Sequence, residues 1–139
     1  MNDYPIIFSY SAESEEGENH WKSFSGEELE AGLKEEFGGD FEGMAPENLY
    51  AHSLANCYIA TFKVIARNSG LKFEKISVSG ELKMEKTEKG ILLTEMDMQA
   101  VLKGAEKTGL AESVLEKTSR SCPVLNSVKT EKNFEFRTE

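Results

Sequence analysis

The chain has 139 residues, which fits one domain over residues 1–139 and leaves no room for a second independent core. Its hydrophobic content of 39% and charged content of 29% indicate a small core with a large wetted surface, or a core completed by a second copy of the chain. The formal net charge of −9 argues against nucleic acid and against anionic membranes as partners, because both require a cationic face.

The N-terminal third is predicted to open with a hairpin. Pro5–Tyr10 is short and apolar, and His20–Phe24 alternates large and polar residues at strand period, with an acidic turn over Glu13–Asn19 between them. The stretch Glu27–Phe37 is rich in helix-forming residues and has two leucines four positions apart. This pattern predicts a short exposed helix or an irregular arm. The glycine-rich stretch Gly38–Gly43 is expected to be a loop.

A long helix is predicted from Pro46 to Ser69. Proline suits the first helical turn and Gly70 suits the position just past the end. The run Asn48–Phe62 contains no Asp, Glu, Lys or Arg, so we expect this part of the helix to be covered on most faces.

The remaining elements follow in order after the helix. Lys72–Lys86 and Ile91–Leu102 alternate as two strands around a turn, Leu110–Thr118 has helical spacing, and a short helix is expected to begin at Cys122–Pro123. Lys132–Arg137 alternates as a last strand. Strands, helix, strands, helix and strand in this order predict an α+β fold with mostly antiparallel pairing.

The chain has two cysteines, Cys57 in the long helix and Cys122 near the C-terminus. The N-terminal sequence lacks the basic start and apolar stretch of a secretory signal, and no apolar segment approaches the ~20 residues needed to cross a bilayer. We therefore expect a cytoplasmic protein, where thiols are kept reduced and disulfides tend to be transient and chemical. Redox chemistry at the two cysteines is therefore expected. The alternatives are that a cysteine is simply a buried apolar residue or that the two form a structural disulfide.

Local sequence marks Cys122 as the thiol of lower pKa. Arg120 lies two residues before it, and Ser121 and Pro123 signal a helix start, whereas Cys57 has no such neighbours. A bridge between the two would span 65 residues and stabilise the fold by roughly 4 kcal/mol in the chain-entropy model.

Three segments together resemble the OsmC/Ohr family of hydroperoxide reductases. They are Phe41–Leu49, which contains Pro46-Glu47, then Ala55-Asn56-Cys57, and Cys122-Pro123-Val124 leading into a last strand. The resemblance implies an OsmC-like fold with antiparallel sheets wrapped around a long central helix in an intertwined homodimer. It also implies thiol-dependent reduction of organic hydroperoxides or hydrogen peroxide, with no cofactor and no metal.

The resemblance implies roles for three residues. Cys57 matches the peroxidatic thiol, which becomes a sulfenic acid, Cys122 matches the resolving thiol, and Glu47 matches the active-site carboxylate. A dithiol or a thioredoxin-like donor must then reopen the disulfide. This assignment contradicts the local choice of Cys122, and we follow the resemblance.

Glu47 raises a question of distance. Ten residues of straight helix separate it from Cys57, which is roughly 15 Å along the axis. Either the helix starts later or bends, or Glu47 serves the cysteine of the other subunit, which is the hypothesis we favour.

The sequence departs from the family pattern at one point. An arginine expected in the N-terminal third is absent, since the chain's arginines are Arg67, Arg120 and Arg137. Lys22 and Arg120 are the candidate replacements, although lysine lacks the bidentate fork of arginine. The missing arginine supports an alternative function, a catalytically weak relative that binds a small apolar molecule or senses redox state.

Other candidates carry less chemistry. His52 is predicted to lie about 140° around the helix from Cys57, which favours a satisfied core or interface histidine. Five apolar or aromatic residues are expected in the core or lining an apolar pocket for a hydrophobic peroxide: Tyr50, Tyr58, Phe62, Met96 and Met98. Acyl-transfer chemistry by Cys57 lacks an adjacent base.

Overall fold

The computed structural model describes residues 4–25 and 27–139. Two compact units divide the chain, one up to Tyr50 and one from Ala51 onward, and each is described by itself. The strands are β1 (Ser11–Glu13), β2 (His20–Phe24), β3 (Glu28–Gly32), β4 (Lys75–Thr87), β5 (Gly90–Lys103) and β6 (Glu131–Thr138). The helices are α1 (Pro46–Ser69), α2 (Thr108–Ser121) and α3 (Pro123–Asn126), with a 3₁₀ turn at Glu35–Phe37. This is the mixed α+β architecture that the sequence predicts.

The first unit contains a three-stranded antiparallel sheet in the order β1-β2-β3. The predicted strand at Pro5–Tyr10 is wrong, because the first strand begins at Ser11. Apolar, aromatic residues favour a strand only where a neighbour pairs with them, and it is Ser11–Glu13 that pairs with β2. Ile7, Phe8 and Tyr10 are instead more than four-fifths exposed.

The stretch Glu27–Phe37 is also corrected. Its helix-forming composition predicted a helix or an arm, whereas Glu28–Gly32 forms β3 and pairs along the whole length of β2. Strand pairing outweighs helix propensity, which is a weak local preference. The loop predicted at Gly38–Gly43 is confirmed and is tied back by the Phe41 amide, which donates to the Leu33 carbonyl at 3.1 Å.

Helix α1 has the predicted ends. It begins at Pro46 and ends at Ser69, and Gly70 adopts the left-handed conformation with φ of 71°, which glycine tolerates best. Its buried side chains form one stripe four residues apart: Leu54, Tyr58, Phe62 and Ala66. Coverage on most faces is therefore not observed within the chain, since Asn56 and Ala60 in the uncharged run are exposed.

The second unit contains the sheet β4-β5-β6. β4 and β5 form a long antiparallel hairpin, as predicted, with a register shift between Lys83 and Met84. β6 pairs with β5 in parallel, which requires a crossover rather than a tight turn. α2 and α3 supply that crossover. Within residues 4–25 and 27–139, no helix combines the length and the apolar character needed to span a membrane.

Tyr58 links α1 to both α2 and β6. Its side chain is fully buried, and its hydroxyl donates a hydrogen bond of 2.8 Å to the Leu115 carbonyl on α2. Its ring stacks on Phe134 and Phe136 of β6, with centroid distances of 6.4 Å to each. Burial raises the pKa of the Tyr58 hydroxyl well above its usual value, so the residue stays neutral.

We predict that Tyr58→Phe lowers the free energy of unfolding by about 1 kcal/mol, because the buried Leu115 carbonyl loses one hydrogen bond while the aromatic packing remains. Urea unfolding of the oxidised protein measures the change. Tyr10→Phe is the matched control, since that hydroxyl lies on an exposed side chain. Equal unfolding midpoints for the two variants would contradict the role given to Tyr58.

Candidate functional site

The two cysteines meet in a disulfide. Cys57 of α1 is bonded to Cys122, and their Cα atoms are 6.1 Å apart, within the usual range for disulfides. Cys122 is completely buried, whereas Cys57 is half-buried. The bond therefore joins the long helix to the junction between α2 and α3.

The position of Cys57 follows from the buried stripe of α1. Tyr58 is the next residue, and successive helical residues are rotated by about 100°, so Cys57 lies at the margin of the stripe. This is why its sulfur reaches a buried partner while part of the residue stays accessible. The sequence pattern around Cys57 identified the helix but not this orientation.

Cys122 lies between two helices. α2 ends at Ser121 and α3 begins at Pro123, which confirms the predicted helix start. The backbone N–H of Asn126 donates to the Cys122 carbonyl at 3.0 Å and fixes the backbone there. α3 has only 4 residues, so the help that a long helix dipole would give to a Cys122 thiolate is small.

Both candidate cations are held by carboxylates. Arg120 donates to Glu116 at 2.9 Å, and Lys22 on β2 pairs with Glu28 at 3.4 Å. Their side chains are 67% and 62% exposed, so these are surface ion pairs. Among the described residues, the ion pair that Arg120 forms is with Glu116 and not with a residue next to Cys57 or Cys122.

Glu47 lies in the first turn of α1. Its Oε2 atom is buried and has no hydrogen-bond partner among the described residues. Since α1 begins at Pro46, a later helix start does not bring Glu47 closer to Cys57. A buried carboxylate oxygen without a partner is costly, so this atom is expected to meet a donor from outside the described contacts.

Thr61 is a residue that the sequence reasoning missed. Its Oγ1 atom lies 4.0 Å from Cys57 Sγ, one helical turn further along α1. The i, i+4 spacing was visible in the sequence and could have identified it, because residues four apart share a helix face.

His52 and the two methionines lie at a separate cavity. This cavity has a volume of about 200 Å³ between α1 and the β4–β5 hairpin. Its lining includes Ala51, His52, Ala55, Leu82, Met96 and Met98, and neither cysteine. His52 is exposed, so it is not a core histidine, and the alternative of an interface histidine stays a prediction. Met96 and Met98 are buried. Across residues 4–25 and 27–139, no group of three or more His, Cys, Asp or Glu side chains is placed to hold a metal ion.

The family model described as OsmC-like protein matches residues 38–137. The chain belongs to this OsmC-like family. The match includes the Pro46-Glu47 pair and both cysteines, which are the residues that carried the resemblance in the sequence. No curated protein sequence matches the chain at a significant level.

Solved structures agree with the OsmC-like fold. An OsmC-like protein of unknown function from Vibrio cholerae is 18% identical with a TM-score of 0.83, covering 95% of this chain and 99% of that one. Organic hydroperoxide resistance proteins from Legionella pneumophila and Elizabethkingia anophelis are each 21% identical, with TM-scores of 0.70 and 0.76. In both cases the alignment covers 99% of each chain. At these identities the likeness establishes the fold.

We predict that reducing the Cys57–Cys122 bond lowers the free energy of unfolding by up to about 4 kcal/mol, because the bond constrains a 65-residue separation in the unfolded chain. Urea unfolding with and without dithiothreitol measures the change. A Cys57→Ser, Cys122→Ser variant should not respond to the reductant. A wild-type protein equally stable in both states would contradict the prediction.

Proposed function

We propose that this protein is a thiol-dependent peroxidase that reduces organic hydroperoxides or hydrogen peroxide. The observation that carries the proposal is the pairing of Cys57 with Cys122, the two family-matched cysteines, within one chain. Two structural relatives are named as organic hydroperoxide resistance proteins, which supports the substrate class.

The proposed reaction has three steps: oxidation of Cys57, formation of the disulfide and its reduction. The Cys57 thiolate attacks the terminal oxygen of ROOH, the O–O bond breaks, and the alkoxide takes a proton to leave as ROH, which gives Cys57 sulfenic acid. The Cys122 thiol then displaces hydroxide from that sulfur, and water and the disulfide form. A dithiol, or a thioredoxin-like protein, reduces the disulfide to two thiols and is itself oxidised to a disulfide. No cofactor is required.

Burial supports Cys57 rather than Cys122 as the residue that meets the peroxide. Cys122 is completely enclosed, and Cys57 retains partial exposure. The local preference for Cys122 rested on Arg120 and on a helix start, but Arg120 is bound to Glu116 and α3 is short. Cys122 is better suited to attack a sulfur that is already beside it.

We further propose that the active form is a homodimer in which Glu47 serves the Cys57 of the partner chain. Two observations support it: the roughly 15 Å of helix between the two residues, and the unpartnered Glu47 Oε2. The exposed apolar side chains of Ile7, Phe8 and Tyr10 also favour burial by a second copy. Lys22 or Arg120 would supply the positive charge that an arginine provides in other members of the family. A cytoplasmic location fits a cycle that needs a reducing thiol pool.

A second candidate function is a catalytically weak relative that binds a small apolar molecule or senses redox state. The cavity of about 200 Å³ beside Met96 and Met98 favours it, together with the missing N-terminal arginine. In that case the disulfide would form slowly and would report the redox state of the compartment.

We predict that one equivalent of cumene hydroperoxide removes both free thiols of the reduced protein within seconds to minutes. Thiol titration with a chromogenic disulfide measures the loss. Cys57→Ser should abolish it, and Cys122→Ser should consume one equivalent and then stall as a sulfenic or over-oxidised acid, visible as added mass. Thiols that persist for many minutes in the wild-type protein would favour the second candidate function.

We predict that mixing two inactive variants, Cys57→Ser and Glu47→Gln, restores activity if Glu47 acts across the dimer. Half of the sites in a mixed dimer would then combine an intact Cys57 with an intact Glu47 of the other chain. Peroxide consumption is measured after the variants are mixed, unfolded and refolded together. Each variant refolded alone is the control, and a mixture as inactive as the controls would place Glu47 and Cys57 in the same chain.

A further inference from the structure

Thr61 is a polar side chain that α1 places beside Cys57. The two residues are four apart on one helix and are both half-buried, with 4.0 Å between Thr61 Oγ1 and Cys57 Sγ. A disulfide sulfur carries no hydrogen, so the hydroxyl is the only possible donor in this contact. The contact exists in the oxidised protein, in which sulfur is a weak acceptor.

Reduction of the disulfide changes which acceptor the Thr61 hydroxyl prefers. In a helix a threonine hydroxyl commonly donates to the carbonyl four residues earlier, which here belongs to Cys57 as well. A thiolate is charged and accepts a stronger hydrogen bond than a neutral sulfur or a carbonyl does. Both acceptors belong to one residue, so the hydroxyl can turn from one to the other without movement of the backbone.

We propose that Thr61 is a positioning residue that donates a hydrogen bond to the Cys57 thiolate in the reduced protein. The inference rests on the proposed function, in which Cys57 reacts as a thiolate, and names a donor that this chain provides without an N-terminal arginine. A donor to the charged form favours that form, so Thr61 lowers the pKa of the Cys57 thiol.

The test uses the full chain with Cys122→Ser, so that Cys57 is the single thiol, and follows thiolate absorbance at 240 nm against pH. Thr61→Val removes the hydroxyl and keeps the shape, and we expect it to raise the Cys57 pKa by about one unit. Thr61→Ser should stay near the parent. Thr118→Val is the matched control, because that buried hydroxyl on α2 donates to the Val114 carbonyl. An unchanged pKa in Thr61→Val overturns the proposal, and Thr61→Ala repeats the measurement should the valine variant fail to fold.

The rate of reaction with cumene hydroperoxide separates this proposal from the proposed function. A higher pKa reduces the thiolate fraction but increases the nucleophilicity of each thiolate. Thr61→Val should therefore react more slowly than the parent at low pH and faster at high pH. If the parent reacts rapidly and the variant has the same pH profile, the role proposed for Thr61 is refuted and the peroxidase activity is retained. If Thr61→Val shifts the Cys57 pKa but the parent does not react with peroxide, the hydrogen bond from Thr61 is retained and the peroxidase activity is refuted.

Discussion

The burial of Tyr58 determines where Cys57 lies. The Tyr58 ring stacks on Phe134 and Phe136, and its hydroxyl donates to the Leu115 carbonyl. These contacts fix the rotation of α1 about its axis, because a helix turned by one residue would withdraw the tyrosine from its acceptor. Cys57 is consequently held beside the α2–α3 junction that carries Cys122. The position of Cys57 thus depends on a neutral, buried tyrosine that directly follows it in sequence.

In the proposed cycle the Cys57–Cys122 disulfide opens at each turnover, so it cannot be the main support of the fold. If reduction removes up to about 4 kcal/mol, the noncovalent contacts must keep the two thiols close while the bond is open. The Tyr58 hydroxyl and the aromatic stack on β6 connect α1, α2 and β6 without involving either sulfur. These contacts therefore hold Cys57 and Cys122 near each other when the bond is open, which in the proposed reaction would favour resolution of the sulfenic acid over its further oxidation.

The sequence was most informative where one segment carried its own signals. Pro46 and Gly70 gave both ends of α1, and alternation gave the β4–β5 hairpin. It failed over Pro5–Tyr10 and Glu27–Phe37, where strand formation depends on which neighbour pairs, and composition does not contain that information. At the site, the family resemblance supplied Cys57, Cys122 and Glu47. The ion pairs of Lys22 and Arg120 could not be predicted, because each depends on the folded position of a carboxylate.

These ion pairs do not disqualify either cation. Exposed salt bridges contribute about 1 kcal/mol or less, so releasing Arg120 from Glu116 or Lys22 from Glu28 costs little. A carboxylate brought to a thiolate without a cation would raise the thiol pKa and oppose the reaction. Glu47 can therefore assist Cys57 only when a cation lies between them or when Glu47 is protonated. A neutral donor such as Thr61 escapes this condition, since its hydrogen bond stabilises the thiolate whatever the charge on Glu47.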